Sequence, residues 1–149
     1  MTFETDQLAE LMTSKCECLG QLAELGRRQL ALIGKGDLAE LLKVLAIKQR
    51  LLTALQSIER QLDPFRDQSP ELRSWRSDEL HAACQRLVVR CNSLLGEVME
   101  QERQSESRLI ENRDQAAIRL EGMHVAAQAR GAYGETDSSF GQLDLSSGI

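Results

Sequence analysis

Apolar residues recur at helical spacing along most of the chain, and the breaks between stripes divide it into three long helices. The first stripe runs through Leu8, Leu11, Met12, Leu19, Leu22, Leu30 and Ile33. It predicts a helix over about residues 6–33, with Thr5 or Asp6 as its cap. Two residues interrupt it: Lys15 can reach water along its aliphatic stem, and Gly26 leaves room for a neighbouring helix to come close. Gly34-Lys35-Gly36-Asp37 follows. A glycine there supplies a left-handed C-terminal cap, and Asp37 with Glu40 reads as a capping box opening the next helix. So short a connection turns the second helix back antiparallel to the first.

The second helix, about residues 38–62, carries Leu41, Val44, Lys48, Leu51, Leu55, Ile58 and Leu62 in the 3,4 alternation of a coiled-coil seam. A second apolar edge, Leu38, Leu42, Leu45 and Leu52, lies beside the seam. An arc that wide predicts a helix touching two neighbours, the centre of the bundle. Asp63-Pro64 should end it, because proline disfavours helical geometry in the residue before it. The linker over residues 63–77 holds Phe65, Pro70 and Trp75. Ser69-Pro70-Glu71-Leu72 has the cap and proline of a short helical turn, and Phe65 and Trp75 read as plugs for the bundle end rather than ligand contacts.

The third helix opens at Ser77 with Asp78 and Glu79 suited to its dipole, and no proline stops it before about residue 130. Its stripe is Leu80, Cys84, Leu87, Cys91, Leu94, Leu95 and Val98. Residues 100–108 then contain no apolar side chain, with Glu102 and Ser105 in the stripe positions. Apolar residues return at Leu109, Ile110, Ala116, Ala117, Leu120, Met123 and Ala127. At 1.5 Å per residue the first two helices are roughly 42 and 38 Å long, against roughly 80 Å for an unbroken third. The first two can cover only about half of it, so residues 105–130 either project beyond the bundle or fold back over a break near 100–108. In either case this amphipathic segment has no assured partner in the chain, and Ile118 and Val125 sit on its opposite face. Residues 131–149, rich in Gly and Ser with sparse Tyr133, Phe140, Leu143 and Leu145, read as a mobile tail. The expectation is an all-α, antiparallel, coiled-coil-like three-helix bundle over residues 1–130, with a long third helix and a flexible C-terminal tail.

Composition supports helices over sheet. The 149 residues are 42% hydrophobic and 28% charged but only 3% aromatic, and the two prolines stand close together. A net charge of −5, with Arg and Glu interleaved, supplies no basic field for nucleic acid. No apolar run is long enough to span a bilayer, and the acidic start Met1-Thr2-Phe3-Glu4 is unlike a secretion signal. A cytoplasmic protein with reduced thiols is therefore expected.

Candidate chemistry is sparse. Cys84 and Cys91 lie two turns apart on one face, too far for a mutual disulfide, and read as small buried hydrophobes. Cys16 and Cys18 point apart on a helix, and His81 and His124 add no metal-ligand spacing, so neither metal nor cofactor is expected. Gly34-Lys35-Gly36-Asp37 lacks the strand and the Gly-Lys-Ser/Thr ending of a phosphate loop. No Gly-x-Ser-x-Gly or His-Glu-x-x-His occurs, which disfavours an enzyme.

Taken in order, several features resemble the FlgN family of flagellar export chaperones. They are the leucine-rich first helix, the short turn into Asp37-Leu38, and the Lys-x-x-Leu-Leu-x-x-Leu pattern of Lys48, Leu51, Leu52 and Leu55. The proline-containing break, the long third helix and Gly131-Ala132-Tyr133-Gly134 ahead of a polar tail belong to the same resemblance. Asn112 alone stands where the family's third helix often carries several asparagines. The resemblance implies a cytosolic chaperone that holds the C-terminal helical region of the hook–filament junction proteins, FlgK-like and FlgL-like. It would deliver them to the flagellar type III export apparatus. On that reading Leu109, Ile110, Ala116, Ala117, Leu120, Met123 and Ala127 form the partner-binding face, as a helix-in-groove or coiled-coil contact. The alternatives are a fold-back of residues 105–130 as a fourth helix, or a structural helical protein or homodimeric coiled-coil adaptor pairing two third helices.

Overall fold

The computed structural model describes the backbone of residues 3–140 and the side chains of residues 3–132. It is an all-α three-helix bundle with long helices: α1 (Glu4–Lys35), α2 (Leu38–Arg66), a single 3-10 turn (Pro70–Leu72) and α3 (Asp78–Phe140). The chain divides into two compact units, residues 1–107 and 108–149.

The hairpin between α1 and α2 forms as its capping residues predict. Gly36 takes φ 72°, and the N–H groups of Gly36 and Asp37 donate to the carbonyls of Ile33 and Leu32 at 3.2 Å each. These are the paired bonds of a Schellman motif, which uses glycine because a Cβ disfavours the left-handed conformation. Asp37 Oδ1 accepts the N–H of Glu40 at 3.2 Å. The Glu40 carboxylate bonds Arg28 and Lys43, so it braces the hairpin rather than completing the box.

Cross-helix contacts set the directions. Along α1, Lys15, Cys18 and Gln29 meet Glu59, Leu51 and Lys48 of α2, so α2 runs back along α1. Asp6, Met12 and Ala23 meet Arg76, Cys91 and Gln101, so α3 runs the same way as α1. The first helix, not the second, is therefore central. α1 buries twelve described residues, including Leu19, Leu22 and Ala23 at 1% exposure, whereas α2 buries five. The apolar edge expected to bring α2 against a second neighbour is exposed instead, with Leu38 and Leu42 both 67% accessible.

Two hydrophobic clusters hold the first unit. The larger joins Leu8 to Ala23 of α1, Leu62 and Phe65 of α2, and Cys84, Cys91 and Leu94 of α3. The smaller closes the hairpin with Leu32, Ile33, Leu41 and Val44. Between them along α1 and α2 lies a polar layer of Gln29 and Lys48, which α3 completes with Gln101 and Glu102 beyond its part of the larger cluster. Lys48 Nζ donates to Gln29 Oε1 at 2.6 Å and pairs with Glu102, while Gln101 Nε2 donates to the Ala23 carbonyl at 2.9 Å. A Cβ at Gly26 would fall 1.9 Å from Gln101 Oε1, so glycine there admits α3, as the gap in the α1 stripe suggests.

The polar stretch of α3 is thus packed into the first unit: Gln101 and Ser105 are buried at 6% and 2% exposure. It is not a break, since α3 is helical throughout residues 100–108. Two further boundaries differ from the sequence reading. α2 continues through Pro64 to Arg66, because burial of Phe65 and ion pairs from Arg66 to Glu59 and Asp63 retain the last turn. A proline so near a C-terminus removes a single helical bond. α3 is helical to Phe140, ten residues beyond the expected end, so only residues 141–149 of the expected mobile tail lie outside the described residues.

Candidate functional site

The second unit contains the residues read as a partner-binding face. Residues 108–132 are helical, and Ala116 is the single one of them that is not exposed. At about 100° per residue, Leu109, Ala116, Leu120, Met123 and Ala127 share an arc of roughly 60°, with Ile110 and Ala117 on one shoulder. Leu109 and Ile110 are each 41% accessible, Leu120 66% and Met123 65%. All seven residues therefore lie on one helix, and the sequence spacing alone places them. Ile118 and Val125 are exposed on the opposite side, so the helix presents apolar groups in two directions. Asp114 and Glu121 on one side and Arg119 on the other separate the two faces. Such an element has the makings of a helix–helix contact: an apolar seam with charged flanks.

A second exposed apolar strip belongs to the first unit. Leu38, Leu42, Leu45 and Leu52 follow one another by four, three and seven residues along the flank of α2. Gln49 occupies the intervening position and Gln56 the next one beyond Leu52, so no charge interrupts the strip. The sequence shows these residues clearly, but their periodicity does not distinguish a covered face from an open one.

The titratable groups of the bundle offer little chemistry. Burial pushes the Cys18 and Cys84 thiols up, and takes Cys91 up to about 11, aided by the neighbouring Cys16 thiol. A thiol held protonated at neutral pH is a poor nucleophile and a poor metal ligand. Burial also lowers the pKa of Lys48. The Arg76 guanidinium holds the Asp6 carboxyl below its usual range, and their pair at 2.6 Å fastens the start of α1 to the linker before α3. Among the described residues no three His, Cys, Asp or Glu side chains converge as a metal site, and no helix is long and apolar enough to cross a membrane. Trp75 and His81, 4.5 Å apart and inclined by 11°, are stacked on each other. The chain matches no protein-family model, no curated protein and no solved structure.

Proposed function

We propose that the protein is a cytosolic helix-binding chaperone of the FlgN type, taking the C-terminal helical region of hook–filament junction proteins and passing them to the flagellar type III export apparatus. The observation that carries this reading is the exposed apolar seam of residues 109–127. A soluble helix presenting Leu109, Leu120 and Met123 to water is the surface that an amphipathic client helix covers. In this view the antiparallel, coiled-coil-like first unit is a scaffold, and the long third helix carries the contact surface. The resemblance in leucine spacing supplies the identity of the client. The work is binding, and no residue is assigned a catalytic role.

Calorimetric titration of the full chain with the C-terminal segment of a junction protein tests the reading. Leu120→Asp and Met123→Asp should each weaken binding at least tenfold, because a buried unpaired carboxylate opposes the contact. Unchanged affinity in both variants would remove this face from consideration. Light scattering tests the competing reading, a structural homodimer. A stable dimer that dissociates when residues 105–149 are deleted would mean that the same seam is satisfied by a second copy.

A further inference from the structure

Where α1, the last turn of α2, the Pro70–Leu72 turn and the start of α3 meet, the first unit leaves a cavity of about 380 Å³. Its walls are largely apolar, formed by Leu8, Met12, Leu62, Phe65, Trp75 and Val88. Phe65 and Trp75, which pack with the larger cluster at the bundle end, also line this hollow. Three cationic side chains reach the cavity, Lys15, Arg66 and Arg73, and among the described residues no carboxylate lines it.

Those three cations are not equivalent. Lys15 pairs with Glu59 at 2.8 Å, and Arg66 pairs with Glu59 and Asp63. Arg73 has no carboxylate partner among the described residues. Its Nη2 donates to the Phe65 carbonyl at 2.6 Å, and its Nε is buried with no hydrogen-bond acceptor. The same positive charge reaches the Cys84 thiol on the cavity wall and offsets part of the upward push of burial. A guanidinium held by one backbone bond, with another donor buried and unsatisfied, is an incomplete site for an anion.

We propose that this cavity binds a small amphiphilic monocarboxylate, its apolar chain against Leu62, Phe65 and Trp75 and its carboxylate on Arg73. The volume lies within the usual range for ligand pockets, about 300–1,000 Å³. At about 30 Å³ per water-sized group it accommodates roughly a dozen heavy atoms, the size of a medium-chain fatty acid. The apolar walls select the chain, and the uncompensated guanidinium selects the charge. This inference stands apart from the helix-binding reading, since it concerns the first unit alone.

Trp75 is the protein's single tryptophan, so its emission reports directly on the cavity. The experiment titrates the full chain with octanoate and, separately, with octanol of the same chain length. A saturable change in Trp75 emission is expected with octanoate, at an affinity at least tenfold above that for octanol. Arg73→Gln should abolish that preference, and Val88→Phe, which adds bulk to the cavity wall, should suppress both responses. Circular dichroism confirms that each variant is folded. Absence of a saturable octanoate response in the wild-type protein overturns the proposal, as does equal affinity for octanoate and octanol. A folded Arg73→Gln protein that retains the full preference does so too.

Discussion

At the residue scale, the polar layer between the two hydrophobic clusters is the feature with the sharpest consequences. Lys48 is 6% exposed, and its ammonium is held by Gln29 Oε1 and Glu102. Lys48→Met strands the buried Gln29 acceptor, whereas Glu102, half exposed, returns to water. The single substitution is expected to cost about 1–3 kcal/mol. The double variant Gln29→Leu with Lys48→Met should recover most of that loss, because an apolar pair needs no desolvation of charge. Urea midpoints of the three proteins check this. If the double variant is the least stable, the layer contributes through packing and not through its bonds. Cys91 gives a pH dependence with a definite sign. Its thiol is raised from an ordinary 9.0 to about 11, so the folded state favours the protonated form. The associated stability is complete below the unfolded thiol's pKa and is lost as pH rises from about 9 to 11. Lys48, lowered by burial, gains stability as pH rises toward the value for an unfolded lysine, which opposes this trend. Cys91→Ala retains Lys48, so the loss of stability between pH 8.5 and 10.5 should be smaller in that variant than in the wild type.

At the element scale, α2 shows how little periodicity says about cover. Leu41 and Leu42 are consecutive and chemically identical, yet Leu41 is 6% exposed and Leu42 67%. Leu41→Ala is expected to cost about 2–5 kcal/mol and Leu42→Ala about 0.5 kcal/mol or less. Comparable losses at the two sites in the isolated protein would mean that the leucine strip is covered in solution, by a second copy or otherwise. The hairpin, by contrast, is readable directly, because Gly36 and Asp37 act through local backbone geometry that needs no distant contact. The expected end of α2 at Pro64 was too early for the converse reason. A local penalty was outweighed by burial of Phe65, a long-range gain that the proline itself does not announce.

At the scale of the whole molecule, the first unit contains both hydrophobic clusters, the polar layer and the cavity. A fragment of residues 1–107 is therefore expected to fold cooperatively, with a urea midpoint close to that of the full chain. A fragment that fails to fold would mean that residues 108–149 contribute directly to the stability of the bundle. The exposed seam of the second unit then has a role separate from stability, which is the premise of the binding proposal.

The helices, their order, the α1–α2 hairpin and the apolar seam at residues 109–127 follow from the sequence, because each depends on spacing and capping within a few turns. Tertiary structure alone decided that α1 is the central helix and that the Leu38–Leu52 strip of α2 stays open. It also decided that the polar run of α3 packs inside the first unit around Gly26, Gln29 and Lys48. Those outcomes depend on which side chains meet across helices, and a stripe records only that a face is apolar. The cavity is of the same kind: Phe65, Arg73 and Trp75 are visible in the sequence, but the hollow they share exists only once three helices and a turn converge on it.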